Sequence, residues 1–131
     1  MSAFDWKDFL DTADHIFTNK SLLYFFYQQK QESVLRTIIS RAYYAIFKQI
    51  EDHLISKQIS YKLPNKGSHD SVIIYLQRFD ARFSRKLARL KGLRIVSDYK
   101  QKQRVVDRDA ETAIQLAKFL NSSWSDLKSL I

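Results

Sequence analysis

Two glycines and one proline in 131 residues leave this chain few ways to reverse direction sharply. All-β sandwiches and barrels need turn residues roughly every eight to twelve positions, so a helical architecture is what remains. The apolar content is ample for a core: 45% of residues are hydrophobic, among them nine Phe and seven Tyr. At this length that suits a single domain spanning residues 1–131. With no Cys, a disulfide scaffold, a thiol nucleophile and Cys-based zinc or iron–sulfur sites are excluded, and a reducing compartment fits. The longest apolar runs, such as Leu22 to Tyr27, are six residues, too short to cross a bilayer. The start of the chain carries Asp5, Asp8, Asp11 and Asp14, unlike a signal peptide. The expectation is a soluble, cytoplasmic protein without a membrane association.

Hydrophobic periodicity predicts the helices. Phe4, Phe9, Leu10, Ala13, Ile16 and Phe17 recur at mostly three- and four-residue spacing, giving an amphipathic first helix over 4–17 with acids near its positive end. A break is expected at Asn19–Ser21, after which 22–27 either extends the helix or forms a buried corner. A long second helix runs over 31–56 with Val34, Leu35, Ile38, Ala42, Ala45, Ile46, Gln49 and Ile50 on one face. The only proline and one of the two glycines mark residues 57–67 as the main loop. Ser68 is a candidate N-cap for a third helix over 69–90, with Gly92 placed to stop it. Residues 93–106 read as a short helical turn and a mobile stretch, and a last helix covers 107–130. The prediction is an all-α, up-and-down bundle of four to five helices.

Charge is unevenly distributed. The net +8 lies wholly between Arg78 and Arg108, where eleven basic residues accompany three acids. Arg78, Arg82, Arg85 and Arg89, spaced four, three and four, form a narrow stripe along the third helix, with Arg94 following. Such guanidinium groups can each meet a phosphate or carboxylate with a bidentate fork. They can equally lie along the core edge or pair with the acids of the first helix.

Several chemistries are missing. His15, His53 and His69 are scattered, with no His-x3-His or Glu-x-x-His pair for a metal. No Gly-rich phosphate loop and no G-x-S-x-G elbow occurs, and no cofactor is implied. Two stretches stand out instead. Ser40-Arg41-Ala42-Tyr43-Tyr44-Ala45-Ile46-Phe47 sets an arginine and two tyrosines inside the most apolar helix. Leu93-Arg94-Ile95-Val96-Ser97-Asp98-Tyr99 holds an acid among apolar and aromatic residues. A guanidinium near a core needs a partner, so an Arg41–Asp98 ion pair is expected, with Tyr44 or Tyr99 supplying a further hydrogen bond.

These motifs, S-R-A-Y-Y-A-I-F, G-S-H-D-S-V-I-I-Y-L and L-R-x-x-S-D-Y, resemble the HEPN superfamily, especially its small stand-alone members, over most of the chain. The resemblance implies a small helical bundle that forms a homodimer. Many relatives are metal-independent ribonucleases of toxin–antitoxin and antiviral systems, often encoded beside a nucleotidyltransferase. Their signature is an Arg followed about four to six residues later by a His, the His acting as acid–base and the Arg stabilising phosphorane charge. Arg94 matches that arginine, but Asp98 and Tyr99 follow it and no His stands at that distance after any Arg. The expectation is therefore a HEPN-like homodimer that binds RNA or another phosphate ligand through Arg78, Arg82, Arg85, Arg89 and Arg94, without the usual cleavage. Two alternatives are a divergent endoribonuclease using Arg94 with His69 or Tyr99, and an interaction module that docks an acidic partner such as a nucleotidyltransferase.

Overall fold

A computed structural model describes residues 4–27 and 30–131, and among them there are six helices and no strand. They are α1 (Lys7–Thr18), α2 (Lys20–Tyr27), α3 (Gln31–Ser56), α4 (Ser68–Gln77), α5 (Ala81–Tyr99) and α6 (Asp107–Lys128). None of the described helices is long and apolar enough to cross a membrane.

Helix α3 is the spine. Its 26 residues contain neither Gly nor Pro, it is about 39 Å long at 1.5 Å per residue, and it touches every other helix. Ile39, Tyr43 and Phe47 are buried in addition to the expected Leu35, Ile38, Ala42, Ala45, Ile46 and Ile50, because neighbours cover α3 on more than one side. Leu76, Phe83, Leu87 and Leu90 close the α4–α5 side of the core, and Ala113, Ala117, Leu120 and Trp124 close the α6 side.

The bundle has six helices rather than four to five, and two breaks account for the difference. Asn19 ends α1, its backbone N–H and side-chain amide both returning to the His15 carbonyl at 3.1 and 2.9 Å, so α2 is a separate helix. Its Leu22 and Phe25 are exposed, and the side chains of Phe26 and Tyr27 lie outside the described residues. Tyr24 ties α2 to the start of α6 by donating to Asp107 Oδ1 at 2.8 Å.

The helix expected over 69–90 is two helices. Asp80 adopts an extended backbone (φ −157°, ψ 98°) and its Oδ1 accepts the Phe83 N–H at 3.0 Å, an N-cap that starts α5. Ser84 then donates to the Ile73 carbonyl at 2.7 Å, fastening the α4–α5 corner. Gly92 does not stop the helix. It lies inside α5, which continues to Tyr99 because Leu90, Arg94 and Ser97 go on packing inward. The loop at 57–67 and the start of α6 at Asp107 fall where expected.

Candidate functional site

Among the described residues the one buried charged group is Arg94, which is only 6% exposed. Four residues along α5, one turn away, Asp98 accepts its Nε–H through Oδ2 at 2.9 Å. Nη2 donates to the hydroxyls of Tyr44 and Tyr99, the latter at 3.0 Å. The rings of Tyr43, Tyr44 and Tyr99 lie 5.5, 4.9 and 5.1 Å from the guanidinium carbon, a cation–π enclosure. From α3, Ser40 donates to the same Asp98 oxygen at 3.3 Å. Because both phenols accept from the arginine, each keeps its own proton for another acceptor.

The expected Arg41–Asp98 pair does not form. Residues 40 and 41 are about 100° apart on α3, so Ser40 meets α5 while Arg41 points to α1 and rests 5.1 Å from the centre of the Phe9 ring. Tyr44, expected beside that pair, bonds Arg94 instead. The buried guanidinium that needed a carboxylate is the one at position 94.

His69, in the first turn of α4, backs this cluster. Its ring stacks on Phe47 at 4.0 Å and 16°, and its Nδ1 is 2.6 Å from the Tyr43 hydroxyl. Tyr44 meets the same ring edge-on at 6.1 Å. Burial holds His69 below the usual histidine range, with Arg94 and Lys91 pushing the same way. Burial also raises the Tyr43 phenol well above its ordinary value, partly opposed by Arg94. A neutral His69 accepting the Tyr43 proton on Nδ1 carries its own proton on Nε2.

Arg94, Tyr99, His69, Tyr44 and Asp98 are thus brought together, whereas the arginine stripe stands apart. The break at Asp80 removes Arg78 from α5 and leaves it at the end of α4, 4.9 Å from the Tyr75 ring. Arg82, Arg85 and Arg89 lie about 120–180° around α5 from Arg94, so they face a different side of the helix. Arg82 and Lys86 rest over the Phe119 ring of α6 at 5.1 and 4.7 Å. Among the described residues no carboxylate lies within 4.0 Å of Arg78, Arg82, Arg85, Lys86 or Arg89. The acids of the N-terminal segment do not reach them: Asp14 of α1 pairs with Lys118 at 3.0 Å, and Asp5, just before α1, accepts the Lys7 N–H.

No family model, curated protein or solved structure matches this chain. The site therefore rests on its own geometry.

Sequence reasoning missed the residues that position it. Arg36, one turn before Ser40 on α3, donates from Nη1 to the Val96 and Ser97 carbonyls at 2.8 and 2.9 Å, and from Nη2 to the Lys100 and Gln103 carbonyls at 3.2 and 2.5 Å. One side chain thus gathers carbonyls from the end of α5 and the turn beyond it, two of which, Val96 and Lys100, also accept a backbone N–H. Glu32 accepts the Val105 N–H at 2.6 Å and pairs with Arg36 at 3.5 Å. The Val105 bond holds its carboxyl below the usual range, assisted by Arg36. Together they fix residues 96–105, which carry Asp98 and Tyr99. The available signal was a Glu and an Arg four apart on a helix otherwise bound for the core.

Beside the cluster, between α1, α3 and the end of α5, opens a groove of about 630 Å³ floored by Ser33, Thr37 and Ser40. Among the described residues no group of three or more His, Asp or Glu side chains is arranged to hold a metal ion.

Proposed function

We propose that this chain is a HEPN-like RNA-binding protein that grips the phosphate backbone with the outer face of α5, as a homodimeric component of a toxin–antitoxin or antiviral defence system. The observation that carries the reading is the set Arg82, Arg85, Lys86 and Arg89, continued by Arg78 at the corner, with no carboxylate partner within 4.0 Å. Arg82 to Arg89 spans about 11 Å of helix, and Arg82 and Lys86 are seated on an aromatic ring that limits their freedom before any ligand arrives. Unpaired cations in such a row exchange condensed counterions for protein contact when a polyanion binds. Kinship with HEPN proteins is supported by the contact between two of the three motifs that suggested it: Ser40 and Tyr44 of one meet Asp98 and Arg94 of the other. Filter binding of labelled RNA at two salt concentrations tests the reading. Affinity that weakens as salt rises is expected; no binding at low salt, or binding indifferent to salt, rejects it.

A second reading, a metal-independent endoribonuclease, is favoured by one observation: Arg94, Tyr99 and His69 surround the same tyrosine cluster. In this reading His69 handles the proton and Arg94 balances charge at phosphorus. Incubation of RNA with the wild type, Arg94→Ala and His69→Ala decides it, since cleavage that survives both substitutions belongs to a contaminant.

A further inference from the structure

We propose that the groove between α1, α3 and the end of α5 is a binding site for a small phosphorylated sugar, separate from the basic face of α5. The groove exists because its floor is made of small hydroxylated residues: Ser33, Thr37 and Ser40 follow one another at four- and three-residue spacing along the α3 ridge, between the wall of α1 at Phe9 and the wall of α5 at Asp98.

The state of each polar group sets what the groove accepts. Asp98 is engaged by Arg94 and Ser40, and Glu32 by Arg36 and the Val105 N–H. Arg41 is the exception. It makes no ion pair or hydrogen bond among the described residues and is held over Phe9 at the rim. Counting Arg94 behind Asp98, three guanidinium groups face two carboxylates, so the site calls for a ligand with net negative charge, and a zwitterion leaves Arg41 unneutralised.

The floor asks for the opposite polarity. Thr37 gives its hydroxyl proton to the Ser33 carbonyl at 2.9 Å and Ser40 gives its proton to Asp98, so these two oxygens face the groove as acceptors, while the Ser33 hydroxyl and the Tyr44 phenol keep protons to give to the anion. A ligand must therefore bring hydroxyl donors along with its anion. A sugar phosphate meets both demands: the phosphate takes the free fork of Arg41 and the neighbouring hydroxyls donate to Thr37, Ser40 and the carboxylate rim. Inorganic phosphate meets the arginine and brings at most two hydroxyls, both on the anion itself, whereas a neutral sugar brings hydroxyls for the floor and no charge for the arginine.

Ribose 5-phosphate is the probe, followed by backbone amide chemical shifts with ribose and inorganic phosphate as controls. The expected result is saturable shifts at residues 33–41 and around Phe9, with ribose 5-phosphate binding at least about tenfold more tightly than either control, the scale of one charge-assisted bond. Arg41→Ala should abolish that advantage, and Thr37→Val, an exposed substitution that keeps side-chain shape, should weaken ribose 5-phosphate several-fold while leaving inorganic phosphate unchanged. Two outcomes overturn the proposal: inorganic phosphate binding as well as ribose 5-phosphate, or shifts that persist in Arg41→Ala. Competition distinguishes the sources of the ligand. A 5′-phosphorylated RNA that displaces ribose 5-phosphate better than its 5′-hydroxyl form makes an RNA end the occupant, and one that does not leaves the free sugar phosphate. Charge reversal on α5 tests the RNA reading without touching this groove, so the two fail separately.

Discussion

A buried arginine surrounded by three tyrosine rings is costly unless every charge is matched, and Arg94 meets that demand within one helical turn. The residue was legible in the sequence as part of a motif, yet its partner was misassigned, because sequence shows that Arg41 and Arg94 are both near apolar segments and not which way each points. His69 behaves differently. Burial disfavours its protonated form in the folded state, whereas the unfolded chain takes up a proton near the ordinary histidine value of 6.5, so the unfolded state binds more protons below that pH. The stability associated with His69 is complete above about pH 7.5 and is lost as the pH falls through 6.5 toward the lower folded value. Urea midpoints of the wild type should therefore drop between about pH 8 and 5, and His69→Gln should flatten that slope. Gly92 yields a prediction of the opposite sign. A Cβ there meets nothing within 4 Å and the residue sits in a helix interior, so Gly92→Ala should raise stability by about 0.5–1 kcal/mol in denaturant unfolding.

Among the elements, α3 was the most legible because an uninterrupted run of 26 residues with helical periodicity admits few other structures. The α4–α5 corner was not, since it contains neither Gly nor Pro and is made by a cap. The Asp80 carboxylate, two residues after Arg78, was the only local sign of it. The true end of α5 was hidden for another reason: its stop comes from α3, through an Arg36 that lies about 60 residues earlier in the chain. Replacing that arginine by methionine keeps the apolar stem and removes one donor from each of four carbonyls, of which Val96 and Lys100 retain a backbone N–H and Ser97 and Gln103 do not. Arg36→Met should cost about 2–3 kcal/mol, measured by urea unfolding, and should speed amide exchange in 97–105 before it affects α6.

For the molecule as a whole, helical class followed from the near absence of turn formers, while the segregation of charge followed from simple counting. What counting could not reveal is that Arg94 is buried on one side of α5 while Arg82, Arg85 and Arg89 are open to solvent on another. The open set lends itself to wholesale reversal. The triple variant Arg82→Glu, Arg85→Glu, Arg89→Glu should stay within roughly 1 kcal/mol of wild-type stability, because all three are exposed and unpaired. In RNA binding its plot of log affinity against log salt should flatten by about two, the contribution of three phosphate contacts on a single strand.

The Glu32–Arg36 clamp also governs how the chain survives in a hydrolytic environment. The exposed connection between α5 and α6 carries Lys100, Lys102 and Arg104, the residue types that trypsin-like enzymes cut beside. Such an enzyme must draw its target into an extended thread, and here the carbonyls of Lys100 and Gln103 and the amide of Val105 are held by α3. Nicking at this seam would therefore keep time with the release of one arginine, making proteolytic half-life a clock for that release.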